Sequence, residues 1–379
     1  MQRTLARRDV QTAGVATAAF GDIVSPCLAS APGRYTKQAP VTNHAARGPI
    51  GMRERIAWAV VLAVSSLIAR AAAAAPLVRS IGCIGITVSD VDRAAEFYGR
   101  VLSFERAGEM EQSGEPLEQL EGVFAAHTRT VTLRLGSECI ELTEYLSPRS
   151  RPAPPDARSN DRWFQHVAIV VSDMDRAYAT LRSARVEYAS SAPQRLPDWN
   201  PDAGGIRAFY FRDPDHHALE VLQFPPGKGE ARWQRKDALF LGIDHTAIVV
   251  GDTGASLAFY RDALGLRVAG ASENWGTEQE HLNAVFGAHV RITTLRAERG
   301  PGVEFLEYLS PRDGRPMPPD VRANDLVHWQ TTLIAPEVQG SWHALHAAFV
   351  SPGPVALPGG RSAILLRDPD GHALLLASQ

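Results

Sequence analysis

The sequence predicts an α+β fold built from four copies of one small unit, and three observations carry the prediction. The stretch Cys83-Ile-Gly-Ile-Thr-Val-Ser-Asp90, followed by Glu96-Phe97-Tyr98, returns 162 residues later as His245-Thr-Ala-Ile-Val-Val-Gly-Asp252, followed by Ala258-Phe259-Tyr260. Self-similarity at a long fixed offset marks a duplicated folding unit. The copying continues from Glu141-Leu-Thr-Glu144-Tyr-Leu-Ser-Pro148 to Glu304-Phe-Leu-Glu307-Tyr-Leu-Ser-Pro311, with one extra residue accommodated in a loop. Within each copy lies a weaker repeat: His166-Val-Ala-Ile-Val-Val-Ser-Asp173 shares the apolar run and terminal Asp, and a divergent fourth unit begins near His328-Trp-Gln-Thr-Thr-Leu-Ile. Finally, each unit reads as strand, helix, then a meander of strands.

The elements of a unit follow in order. An apolar, β-branched run such as 168–171 or 247–250 predicts a strand, and the Asp that ends it can cap the following helix by accepting from free amides of the first turn. In unit three Leu257, Tyr260, Ala263 and Leu264 recur at helical spacing and predict one buried face, with Gly265 as the stop. Strands are expected at 290–295 and 303–308. In unit two they are expected at 208–211 and 218–222, on either side of a tight turn at Asp213-Pro-Asp-His216.

The chain has 379 residues, 45% of them hydrophobic and 21% charged, which suits two ordinary domains of a soluble protein. A net charge of -3, with no basic run interleaved with aromatics, argues against nucleic acid as a partner. The N-terminal 1–76 has a different character. Met52-Arg-Glu-Arg55, an apolar stretch over 56–68 and alanines at 71–75 form the pattern of a secretory signal peptide over 52–75, with translation starting at Met52. A membrane anchor is the alternative. After cleavage the protein is expected to be periplasmic or secreted, free of the membrane, with Cys83 and Cys139 as its cysteines.

A strand-helix-meander unit used four times, with His opening the first strand and Glu in the last, resembles the vicinal oxygen chelate superfamily: glyoxalase I, extradiol dioxygenases, and bleomycin and fosfomycin resistance proteins. Asp213-Pro-Asp-His-His-Ala-Leu-Glu220 is the motif that carries the likeness best. The resemblance implies four βαβββ modules paired into two open, cup-shaped mixed sheets, with a first domain over 77–236 (modules 77–150 and 160–228) and a second over 237–379 (modules 238–312 and 324–379). It also implies a divalent metal, Fe, Mn, Ni or Zn, on the floor of a cup and a small molecule as substrate or ligand.

Carried over by position, the first-strand ligand falls on Cys83, His166, His245 and His328, and the last-strand carboxylate on Glu141, Glu220, Glu304 and Leu375. With consecutive modules paired, one cup holds Glu141, His166 and Glu220, and the other holds His245, Glu304 and His328. The second set is preferred, because two imidazoles and a carboxylate leave open positions for a chelating substrate. Glu144 and Glu307, on the opposite strand faces, are rivals to Glu141 and Glu304. Trp199-Asn-Pro-Asp and Asn274-Trp275-Gly276 are expected to overhang the cups. A general base is not evident, with Glu220 or a detaching ligand as candidates. The fold also makes the strands of Cys83 and Cys139 neighbours, so a disulfide is conceivable, although two buried thiols are expected. The implied activity is lyase or isomerase chemistry of the glyoxalase kind, ahead of ring-cleaving dioxygenation. The rivals are a non-catalytic binding protein of the resistance type and a module whose His residues are structural. With two cups in one chain, a monomer can complete a site.

Overall fold

The structure is a computed structural model that describes residues 76–379. The signal-peptide reading of 52–75 therefore lies outside the described residues. Module one comprises β1 (Ser80–Val88), α1 (Val91–Leu102), β2 (Glu105–Ser113), α2 (Glu115–Glu121), β3 (His127–Leu135) and β4 (Glu138–Ser147). Module two has β5 (Gln165–Val171), α3 (Met174–Ser183), β6 (Glu187–Tyr188), β7 (Gln194–Arg195), β8 (Arg207–Arg212) and β9 (Ala218–Gln223). Module three has β10 (Phe240–Val249), α4 (Thr253–Leu257), a π-helical turn over Ala258–Ala263, β11 (Arg267–Trp275), α5 (Thr277–Asn283), β12 (His289–Arg296) and β13 (Gly302–Ser310). Module four has β14 (Trp329–Ala335), α6 (Gln339–Ala344), β15 (Ala348–Phe349), β16 (Val355–Ala356), β17 (Ser362–Arg367) and β18 (Ala373–Ser378).

The expected α+β architecture of repeated modules and two mixed sheets is present. Each first helix is capped as the sequence indicates: the Asp90, Asp173 and Asp252 carboxylates accept from Arg93 N, Arg176 N and Ala255 N at 2.9, 3.0 and 2.8 Å. Each such cap is worth about 1 kcal/mol. Module four uses Glu337, which accepts from Gly340 N at 2.7 Å. The helix face expected in module three needs one correction. Phe259, Tyr260 and Leu264 are buried, but Ala263 is exposed, because the π turn is wider than an α turn and shifts the phase of the apolar stripe.

The pairing of modules differs from expectation. The nine-stranded first sheet runs β15-β17-β18-β14-β1-β4-β3-β2, with β16 also on β17, and the nine-stranded second runs β11-β12-β13-β10-β5-β9-β8-β6, with β7 also on β8. Module one thus shares a sheet with module four, and module two with module three, through the antiparallel contacts β1–β14 and β5–β10. Consecutive modules meet on the other side of the sheets. Ile84, Val91, Tyr98 and Leu142 of module one form one apolar core with Val167, Met174, Phe209 and Val221 of module two. Ile248, Tyr260 and Phe305 of module three do the same with Leu333, Ile364 and Leu374 of module four. Tyr98 and Tyr260, read as packing residues, are buried in these cores, and their hydroxyls donate to Asp213 and Asp368 in the repeated Asp-Pro-Asp turns. Sequence neighbours therefore share a core, whereas each cup is formed across the two halves.

The two cups differ in content. In the first sheet Leu120 of α2 packs with Val355, Ala363, Ala377 and the floor residue Leu375, so apolar side chains fill the cup. Cys83 and Cys139 are disulfide-bonded rather than free. The physical reason is the parallel register of β1 and β4, which aligns Ile84 with Ile140 and brings the two cysteine Cα atoms to 4.7 Å.

Candidate metal centre

Four ionisable side chains converge on the floor of the second sheet. The strand order β13-β10-β5-β9 sets them in two rows, Glu304–Ala247–His166 and His245–Ala168–Glu220. Each row carries one imidazole and one carboxylate with an alanine between, and the rows are related by the weaker repeat between single modules. The small central side chains leave space over which the four longer ones meet. His166 Nε2 lies 3.1 Å from Glu220 Oε2, and His245 Nε2 lies 3.7 Å from Glu220 Oε2 and 3.4 Å from Glu304 Oε1. Donor atoms of His166, Glu220 and His245 all fall within 4.8 Å of one another.

A third carboxylate orients His245. A bulge in β10 between Ile243 and His245 brings Asp244 beside its neighbour's ring, and His245 Nδ1 sits 2.9 Å from Asp244 Oδ2. Arg296 donates to Asp244 O at 2.8 Å and to Oδ1 at 2.7 Å, and Trp233 Nε1 donates to Oδ1 at 2.9 Å. Arg296 also packs closely over Gly302, where a Cβ would lie 3.2 Å from its Cζ. Burial acts to raise the Asp244 pKa, but His245 and Arg296 prevail and hold it well below the usual carboxylate range. For His245 burial acts to lower the pKa, yet Glu304, Asp244 and Glu220 together lift it to about 9. The cluster thus demands positive charge, which a proton on His245 or a divalent ion can supply.

The residues fit a divalent ion. His245 Nε2 is buried, has no hydrogen-bond partner, and faces two carboxylates, while Asp244 fixes the opposite nitrogen as the protonated one. Two imidazoles and two carboxylates form a donor set suited to Zn, Ni, Fe or Mn. Glu304 is further anchored by Thr294 Oγ1, which donates to its Oε2 at 2.7 Å. The Tyr210 ring lies 4.8 Å from that of His166 and closes that side of the floor.

Neither expected ligand set stays together. His166 and Glu220 join His245 and Glu304, while Glu141 and His328 lie in the first sheet with Cys83 and Leu375. His328 is also out of register. Gln330 faces Gly85 in the first sheet as His166 faces Ala247 in the second, so the equivalent position belongs to Gln330. His328 sits two residues earlier, 3.3 Å from Gln330 Oε1, where burial and Arg367 lower its pKa to about 4. Leu375 and Glu141 do occupy the carboxylate positions of the filled cup, and burial raises the Glu141 pKa. The rivals Glu144 and Glu307 serve the helix faces: Glu144 accepts from Val91 N at 3.2 Å, and Glu307 from Thr253 Oγ1 at 2.7 Å.

A cavity of about 480 Å³ stands over the floor, lined by Leu196, Asp202, Ile206, Leu222 and Phe224 from the module-two side of the sequence and by Asn274, Gln279, Thr294 and Arg296 from module three. Of the two segments expected to overhang the cups, Trp199-Asn200 lies in a loop, whereas Asn274 and Trp275 end strand β11 because they pair with Val290 and His289, and the two segments meet at the cavity edge. Trp199 and Trp275 pack with ring centroids 4.2 Å apart, and Asn200 Nδ2 donates to Asn274 Oδ1 at 2.7 Å. Asp244, Arg296 and Thr294 were not marked by the repeat pattern. The one available signal was Asp244, placed directly before a candidate ligand.

Two mixed sheets of repeated modules, one carrying a His/Glu/His/Glu floor under an open cavity, define a metal-site fold of the vicinal-oxygen-chelate type. The family model of the glyoxalase/bleomycin resistance protein/dioxygenase superfamily matches residues 80–221 and 242–376, and the chain belongs to that superfamily. Among solved structures, glyoxalase I from Zea mays is similar at 16% identity and TM-score 0.52, over 79% of this chain and 92% of that one. A candidate dioxygenase from Bacillus subtilis is similar at 14% identity and TM-score 0.51, over 80% and 86%. These likenesses establish the fold. No curated protein matches the sequence.

Proposed function

We propose that the protein is a divalent-metal enzyme of the glyoxalase-like lyase or isomerase kind, acting on a small oxygen-rich molecule at His166, Glu220, His245 and Glu304. The observation that carries this reading is the convergence of His166, Glu220 and His245, from strands remote in sequence, within 4.8 Å of one another, with Glu304 3.4 Å from the unpartnered Nε2 of His245 at the base of a cavity. A divalent ion held there supplies Lewis acidity, able to stabilise an enolate or polarise a carbonyl. The protein's own part is to position and to move protons. Glu220 and Glu304 lie at opposite ends of the two rows, so either can take a proton from a substrate carbon and return it to a neighbouring atom. Asp244 keeps His245 pointed at the floor, and the apolar wall keeps water from the reacting carbon.

Metal analysis of protein purified without chelators is expected to find about one equivalent per chain, lost in His166→Ala and His245→Ala and kept in His328→Ala. No binding of Fe, Mn, Ni or Zn on reconstitution would sink the proposal. Turnover is expected as metal-dependent exchange of a carbon-bound proton for deuterium in small carbonyl compounds, followed by NMR. Tight ligand binding without exchange would return the protein to the non-catalytic binders.

Export is part of the same proposal. The Cys83–Cys139 disulfide supports it, because disulfides persist in oxidising compartments and are rare elsewhere. N-terminal sequencing of the mature protein is expected to begin in or just after the alanine run at 71–75, and a retained residue 52 would refute cleavage.

A further inference from the structure

The walls of the cavity carry a charge pattern that the metal reading does not use. Arg267 of β11 and Arg296 of β12 are cross-strand partners, and both line the cavity. Like charges directly opposite on a sheet are destabilising unless something neutralises them. Arg296 is neutralised by Asp244, as described above. Among the described residues Arg267 has no carboxylate partner.

The internal duplication provides a control. The position equivalent to Arg267 in the first sheet is Glu105, which faces Arg134 in the register that Arg267 shares with Arg296. Where the cup is filled, an acid faces an arginine; where the cup is open, two arginines stand side by side. The exchange of Glu for Arg thus accompanies the open cavity, which places the surplus cation where a ligand can reach it.

A second, independent feature points to a polar ligand in the same space. Gln279 of α5 is buried and lines the cavity; its Nε2 donates to Asn283 Oδ1, while its Oε1 has no partner. A buried amide acceptor left unpaired is costly, so a ligand hydroxyl or N–H that satisfies it is favoured. Leu196, Ile206, Leu222 and Phe224 offer apolar contact in the same cavity, beside the single acid Asp202 of their loop.

From this arrangement we infer that the cavity is built for an amphiphilic organic anion, with paired oxygens at the His166–Glu220–His245–Glu304 floor, an apolar body on the Leu196–Phe224 wall, and a carboxylate tail on Arg267. The inference rests on the metal reading of the floor. A guanidinium and a carboxylate match in shape and charge, so the tail meets a cavity-lining cation that has no carboxylate partner.

The test uses the full chain loaded with one equivalent of zinc, and two probes that differ by one charge: 3-(3,4-dihydroxyphenyl)propanoate and its methyl ester. Calorimetric titration is expected to show the acid binding about tenfold tighter than the ester, as one charge-assisted contact provides. Arg267→Met should bring that ratio to near one while leaving the ester's affinity unchanged, and Arg267→Lys should keep part of the preference. Zinc-dependent binding of both probes with equal affinity, or a preference that survives Arg267→Met, overturns the inference and leaves the metal reading intact. Failure of both probes to bind, or equal binding with and without zinc, strikes the metal reading and takes the inference with it.

Discussion

At the scale of single residues, the decisive contact is between Asp244 and His245. A carboxylate bound to the far nitrogen of a metal-binding imidazole fixes its tautomer and raises its basicity, and losing it typically costs ten- to a hundredfold in metal affinity. Asp244→Asn keeps the shape and an acceptor but removes the charge. Its zinc dissociation constant, measured by competition with a chelator, is expected to rise by about tenfold or more; an unchanged constant would show that Asp244 serves only Arg296 and Trp233. The floor residues themselves were legible in the sequence because the repeat put His166, Glu220, His245 and Glu304 at matching positions. Their grouping was not, since a strand repeat says which residues face a floor but not which floor they share. His328 misled for a related reason: in the divergent fourth module a histidine lies two residues upstream of the true position. Counting back seven from the helix-capping Glu337, as His166 stands seven before Asp173, reaches Gln330.

At the scale of elements, the same strand-helix-strand module produces an open floor in one sheet and a filled one in the other. The difference lies in what α2 and α5 bring with them. Beside Leu120, α2 carries Glu121, buried over the first sheet, where desolvation lifts its pKa to about 7 against a hydrogen bond from Tyr145, with Glu141 adding to the rise. The sign follows from linkage. A carboxyl with a folded pKa above its unfolded value of 4.5 binds more protons when folded, so its contribution is complete below that value and is lost as pH rises to 7. The loss is on the order of 3 kcal/mol. Glu121→Gln keeps the hydrogen-bonding shape without the charge. Urea unfolding should find it more stable than the wild-type protein at pH 8, with the gap closing near pH 4; equal midpoints at pH 8 would show that Glu121 is already solvated. Helix caps, strand runs and turns were readable at this scale because each is a local matter of hydrogen bonds and periodicity. The filled cup was not, because it depends on apolar side chains from modules one and four, which the sequence places at opposite ends of the duplicated region.

At the scale of the whole molecule, the crossed pairing gives the site a structural consequence. Modules one and two share one core and modules three and four the other, yet the floor takes His166 and Glu220 from one half and His245 and Glu304 from the other. An ion bound by all four joins the halves through side chains, in addition to the backbone ladder between β5 and β10. Binding that requires the folded pairing stabilises it by mass action, by about 2.7 kcal/mol when free metal exceeds its dissociation constant a hundredfold. Thermal unfolding followed against zinc concentration should therefore show a midpoint that climbs with the logarithm of free metal. Variants that lose one carboxylate from either half, Glu220→Gln or Glu304→Gln, should both weaken that dependence, Glu220→Gln the more, since Glu220 lies within 3.7 Å of both imidazoles and Glu304 lies 3.4 Å from that of His245. A steep slope retained in one variant and abolished in the other would mean that the ion belongs to a single half, and that the symmetry of the floor reflects ancestry rather than shared work.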